Sequence, residues 1–401
     1  MQQLKRNTIA LSLAHATFAQ FILLGSGAVM AQEVASTTDA AKPSAEQMDR
    51  IVVTATRRNT FVQETPLAVT AFNQDTLQNN QVKDLASLAT MVPSLVVEQH
   101  GDSGGVHVYM RGVGSANHTE LGDPAVAFYV DGVYSPRPQG ATALMYDLSH
   151  VEVARGPQGT LNGRNSTAGA VNLVSAAPST AKFMGSAGIT VGDYRHLQTQ
   201  GMINIPFSDD VALRIAAIKD SHDGTVDFRR GSNVMPGTAK YGAGDQMGVR
   251  ASLLWKFTPQ LRGTFIADYF LDQGAGNVYL AAEPKPGEKL RSALIDTPGT
   301  LDQSILTYKG KLNYKPTDAL DFTYLGSWSR YKRQNSNDAD AGLFPGFKSE
   351  NRTDWAQFDS YSHELQARSD DDAPFQWVAG LFLFNEKNKV RFDIDRSQIS
   401  Q

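Results

Sequence analysis

Cysteine is absent from all 401 residues. A disulfide framework and any thiolate metal site are therefore excluded, although the compartment stays open. A basic excess is missing too, with 37 Lys+Arg against 41 Asp+Glu and a net charge of −4. Nothing in that balance marks a nucleic-acid partner. Long apolar runs are lacking beyond the start of the chain, so no membrane-spanning helix is expected there. The exception is "MQQLKRNTIALSLAHATFAQFILLGSGAVMAQE", where Lys5 and Arg6 precede an apolar stretch that ends Val29-Met30-Ala31. It reads as a secretory signal peptide over 1–31, the alternative being a retained helical anchor.

The next segment, 32–59, is polar and rich in small residues, with too little apolar surface to fold alone. Within it sits "DRIVVTATRR", whose Ile51, Val52, Val53, Thr54 and Thr56 are strong strand formers. A β-prone run on a flexible leash needs a partner strand from elsewhere, inside the chain or outside it.

Residues 60–178 mix strand-like stretches ("PLAVTAF", "SLVVEQ", "VHVYMRGVG", "VAFYVDGVY", "HVEVARGP", "GAVNLVS") with one helical pattern. That pattern, "DTLQNNQVKDLASLATMV", spaces Leu77, Val82, Leu85 and Leu88 as a helix does, and Pro93 stops it. A compact α+β domain is expected. From 179 to 401 the rhythm becomes a strict alternation. Leu306, Tyr308, Gly310, Leu312 and Tyr314 face one way, and Thr307, Lys309, Lys311, Asn313 and Lys315 the other. About nine such strands follow one another, and short connections alternate with long ones. Short turns gathered at one end, with Trp255, Phe257, Tyr314, Trp328, Trp355 and Trp377 near strand ends, fit an outer-membrane barrel better than a soluble sandwich.

The order of tail, small domain and alternating strands, together with "IVVTATRR", "VYMRGVG", "VAFYVDGVY" and "VEVARGPQGTLNGRNSTAGAVNLVS", resembles the TonB-dependent receptors. The resemblance implies a transmembrane antiparallel β-barrel preceded by an α+β plug, of which about nine strands of some 22 are present. The chain accordingly reads as the N-terminal half of a receptor. It also implies that Asp49, Arg50, Ile51, Val52, Val53, Thr54 and Ala55 form a TonB box, gripped by strand addition to the energy-transducing protein TonB; the alternative is that they are simply the plug's first strand. The other implied partners are a metal-chelate or similar small ligand and outer-membrane lipid. Ferric siderophores are the default cargo, with haem, cobalamin and oligosaccharide open. No enzyme activity, cofactor or resident metal is expected, an outer-membrane barrel enzyme being the rival class.

Charged plug residues follow the same resemblance. Arg111, Glu152 and Arg155 are expected to join the barrel residue Glu364 in a plug–barrel lock, since a buried guanidinium must find a carboxylate; the alternative is local pairing of Glu152 with Arg155. Ser115, Tyr134, Arg137 and Gln139 are expected on the ligand-facing side. The string Gly101-Asp102-Ser103-Gly104-Gly105 copies a serine-protease motif. It lacks an upstream His and Asp in a suitable setting, so ordinary turn chemistry is the better reading. His100, His107 and His118 are weighed as haem or iron ligands and read as surface residues.

Overall fold

The computed structural model describes residues 52–54, 57–58, 60–99, 106–115, 117, 121–137, 145–228, 241–276, 292–293, 299–338, 351–371 and 373–395. The chain opens with β1 (Val52–Val53) and β2 (Thr60–Phe61), paired as an antiparallel hairpin. The α+β domain follows: β3 (Val69–Asn73), α1 (Gln74–Asn79), α2 (Leu85–Ala89), β4 (Leu95–Gln99), β5 (Val106–Met110), β6 (Val126–Val130), β7 (Val133–Ser135), β8 (Leu148–Arg155), α3 (Gly159–Asn162) and β9 (Gly169–Ser175). Its main sheet runs β3-β8-β9-β6-β7, with β6 and β9 parallel. β-Branched residues (Val126, Val151, Val153, Val171) fill one face and meet Leu77, Leu85 and Leu88 from the helices. This buried cluster makes the domain a rigid body onto which charged side chains are fixed.

The helical pattern around Leu77 and Leu88, which leaves one or two helices open, forms two. Asn73 caps α1 by accepting from the Thr76 amide at 2.8 Å. Gln81 then turns into the left-handed region at φ 54°, and Asp84 restarts the chain with a capping box to Ser87. Helical spacing carried across the break because both short helices bury the same kind of leucine face.

The alternating region forms one nine-stranded antiparallel sheet: β10 (Met184–Gly192), β11 (His196–Pro206), β12 (Val211–His222), β14 (Gly244–Lys256), β15 (Leu261–Asp272), β17 (Thr300–Thr317), β18 (Leu320–Asp338), β19 (Asn351–Ser369) and β20 (Val378–Asp395), in that order. Two short strands outside it, β13 (Asp227–Phe228) and β16 (Ser292–Ala293), pair with each other. Apart from β13 and β16, which lie in the connections, each strand of the large sheet pairs with the next in sequence, which is the meander of an up-and-down wall. Alternate residues point to the plug (Lys309, Ser327, Ser362) or away from it (Tyr308, Tyr361, Leu381, Leu383, all well exposed). That second face is the lipid-facing one, and Trp255 stacks on Phe257 there at 4.7 Å, at the short-turn end.

Two expectations shift. The turn at 193–195 is short, yet it lies at the end that elsewhere carries the long connections. Trp328 and Trp355 are not terminal, because β18 and β19 each run 19 residues, extending past the apolar alternation. Beyond the bilayer both faces of a strand turn polar, so the alternation stops while the ladder continues. No helix among the described residues is long and apolar enough to cross a membrane.

Candidate functional site

The functional candidates gather where the domain meets the inner face of the wall. Asp49, Arg50, Ile51 and Ala55 lie outside the described residues; Val52, Val53 and Thr54 are within them. Val53 is fully buried, as a β-branched side chain in a hairpin should be when another element covers it. The Thr54 amide donates to Glu152 Oε1 at 2.8 Å, and its hydroxyl donates to the same oxygen at 3.1 Å. Asn172 Nδ2 donates to Glu152 Oε2 at 3.3 Å, and His150 Nε2 lies 3.0 Å from Oε1. A carboxylate only 2 % exposed is thus held by the very segment it holds.

Two arginines that the sequence reading passed over continue this attachment. Arg57 lies 3.6 Å from Glu364 on β19 and sits over the Tyr129 ring at 5.2 Å. Arg58 reaches Asp371 at 2.6 Å, Ser369 Oγ at 2.9 Å and the Trp377 carbonyl at 3.0 Å, all around one short turn of the wall. The signal was available: adjacent arginines directly after a β-prone run, facing a chain whose short turns carry Asp370, Asp371 and Asp372.

The expected four-residue lock is therefore corrected. Glu364 is the wall member of an ion pair, but its partner is Arg57 and not Arg111 or Arg155. Arg111 is exposed on a turn, at φ 54°. Arg155 ends β8 with its Nε buried and without a hydrogen-bond partner. Glu152 and Arg155 are three residues apart on one strand, so alternation sends them to opposite faces.

Other ion pairs fasten the domain to the wall. Arg214 on β12 donates through Nε to Asp147 at 2.8 Å, with both side chains 7 % exposed. Lys309 on β17 pairs with Asp131, which also accepts from the Ser175 amide at 2.8 Å. Burial would raise the Asp131 carboxyl, but Lys309, Arg250 and the Ser175 amide outweigh it and hold it at about 2. Arg250 on β14 donates to the Tyr146 carbonyl at 3.3 Å and covers its ring at 4.8 Å.

Two of the four expected ligand-facing residues point elsewhere. Tyr134 is buried; its hydroxyl accepts from Asn165 Nδ2 at 2.7 Å, and its ring meets Phe384 edge-on at 5.6 Å. Burial pushes that phenol up to about 12. Arg137 pairs with Glu386 on β20 and donates to the Gly122 carbonyl at 3.1 Å. Both are consumed in fixing the domain to the wall, since a cationic fork enclosed there needs a carboxylate more than a ligand does. Ser115 stays at a turn, its Oγ accepting from the Asn117 amide at 3.3 Å. Gln139, His100, His118 and Gly101 to Gly105 lie outside the described residues. His107 is buried in β5, not on the surface. Among the described residues no three acidic or imidazole side chains converge in a way that would hold a metal ion.

Comparison with known proteins agrees with this arrangement. The profile of the TonB-dependent Receptor Plug Domain matches residues 62–170. The pesticin receptor of Yersinia pestis is 32% identical over 139 residues, covering 34% of this chain and 20% of the relative. The crystal structure of the ferric yersiniabactin uptake receptor FyuA from Yersinia pestis superposes with a TM-score of 0.72 at 21% identity, covering 83% of this chain and 50% of that one. The siderophore receptor PiuA from Acinetobacter baumannii gives a TM-score of 0.66 at 16% identity, over 82% and 47% of the two chains. The chain therefore spans about half the length of these solved relatives. A plug-profile match, a sheet-and-helix domain ion-paired to a nine-stranded wall, and a strand-forming lead segment agree in supporting the N-terminal portion of a TonB-dependent receptor of the outer membrane, with residues 62–170 its plug domain and nine strands its partial barrel.

Proposed function

We propose that this chain belongs to an energy-coupled uptake receptor that captures a scarce nutrient outside the cell, a ferric siderophore complex by preference, and delivers it inward when its lead segment is pulled. The preference for a siderophore rests on two solved relatives, a ferric yersiniabactin uptake receptor and a siderophore receptor. Ser115 and Gln139 stay assigned to the cargo side. Asp49 to Ala55 serve as the handle, which a TonB-type partner takes by adding a strand.

One observation carries the coupling part of this reading. β1 is held at the short-turn end by a two-residue hairpin, one carboxylate and two arginine contacts. Apart from the buried Val53 side chain, these contacts are polar and local. Such an attachment resists thermal fraying, yet a pull along the strand breaks it bond by bond.

The absence of cysteine gives a direct test. Val52 and Phe61 are Cα partners across the hairpin and both are exposed. Antiparallel partners lie about 4.5–5.5 Å apart, within the span of a disulfide. Val52→Cys with Phe61→Cys should close a bridge under oxidation and pin the handle. Uptake of a ferric siderophore by iron-limited cells carrying the receptor should then fall to background and return on reduction. Full uptake with the bridge completely formed would contradict the role given to β1.

A further inference from the structure

Between the plug sheet and the wall, on the short-turn side, lies a cavity of about 330 Å³. Its plug side carries Thr54, Asp131, Glu152 and Asn172; its wall side carries Arg262, Lys309, Lys311 and Arg368. The negative groups are already occupied. Asp131 is paired with Lys309, and Glu152 is taken up by Thr54, Asn172 and His150. On the positive side, Arg368 has Asp321 at 2.7 Å and Arg57 has Glu364. Two cations are left over. Among the described residues, neither Arg262 nor Lys311 has an ion pair or a side-chain hydrogen bond.

The register places them together. Arg262 is opposite Asn313 and Thr264 is opposite Lys311, so the two cations are diagonal neighbours on the inward face of β15 and β17. Two like charges facing a shared, partly enclosed space raise each other's energy, and an anion entering between them relieves it. Uncharged hydrogen-bonding groups (Asn313, Thr323, Gln366) complete the lining beside them. Such a mixture suits oxygen-rich anions better than apolar molecules.

We propose that this cavity is an anion-binding chamber, with Arg262 and Lys311 as its binding pair, for a small ligand bearing carboxylate or phosphate oxyanions. Its position rests on the uptake reading for its meaning: it is a staging site on the inward side of the plug for anionic cargo. Thr54 and Arg57 are part of its border, so displacement of the lead segment opens it toward the short-turn end.

The chamber's charge preference is measurable without transport. Thr264→Cys supplies a unique thiol directly opposite Lys311 in a cysteine-free chain. With the full chain in neutral detergent, an anionic methanethiosulfonate should modify this thiol about tenfold faster than a cationic one, after correction for their rates with a free thiol. Inorganic phosphate should slow the anionic reagent, and Arg262→Gln with Lys311→Gln should erase both effects. Ser252→Cys, another lining position, repeats the measurement should the first variant misfold. Equal rates for the two reagents, or a preference that survives the double substitution, would overturn the chamber. Loss of uptake in the disulfide experiment has no bearing on these rates, so the two readings fail separately.

Discussion

Lys309→Met is expected to loosen the plug. It strands the Asp131 carboxylate in a buried position, and breaking such a pair on one side costs about 3 kcal/mol or more. The sign of the pH dependence follows from the depressed carboxyl. Its folded value is about 2 against an ordinary 3.8. In the parent chain its contribution, on the order of 2 kcal/mol, is therefore fully present above pH 3.8 and lost as pH falls through 2. In the variant the depressing partner is gone, and this acid-side loss should shrink or reverse. Amide exchange at Asp131 and Ser175 is the suitable readout, because both amides close hydrogen bonds at this joint. All four tryptophans lie in the wall, at 255, 328, 355 and 377, so fluorescence would report the wrong part of the molecule. Unchanged exchange at those amides would show that the pair does not hold the plug.

Glu152→Ala should free the lead segment without dissolving the plug core. The lost carboxylate takes with it the Thr54 amide and hydroxyl bonds and the Asn172 bond. At about 1 kcal/mol or more for each charge-assisted bond, the hairpin should be open in a large fraction of molecules. Trypsin reads this directly, because Arg57 and Arg58 are shielded at 13 % and 12 % side-chain exposure when the segment is docked. Cleavage after these two residues should rise at least about tenfold, the equivalent of 1.4 kcal/mol. Glu152→Gln keeps an acceptor for the Thr54 amide and should give an intermediate rate. If both variants cut as slowly as the parent, Glu152 is not the anchor.

The wall was legible in the sequence because a strand in lipid must alternate, and alternation survives in the primary structure wherever Leu306 to Tyr314 or Leu320 to Trp328 are read. The plug motifs and the β-prone lead segment were legible for similar reasons, being local. What escaped was pairing over long separations. Glu364 was named, but Arg57 lies 307 positions away, and only the folded wall brings the two together. Arg111 and Arg155 were attractive because they are charged within apolar strands; direction and turn geometry then sent them elsewhere. Tyr134 and Arg137 failed as cargo contacts for a related reason. Their chemistry suits a chelate, and equally suits Phe384 and Glu386 on a wall whose approach no single-strand pattern encodes. The helix break at Gln81 was local, yet nothing in the leucine spacing marks it.

The length of the last strands has one more consequence. β17 to β20 each contain 18 or 19 residues, and 19 residues span about 60 Å along the strand. Tilted as barrel strands are, they still rise about 20 Å above an apolar band of roughly 25 Å. Their outward side chains at that height, Arg330, Lys332, Lys387 and Lys389, are those of a protein in water. The rim is thus a raised collar standing well clear of the headgroups, so whatever lands on it does so in open water before any membrane chemistry touches it.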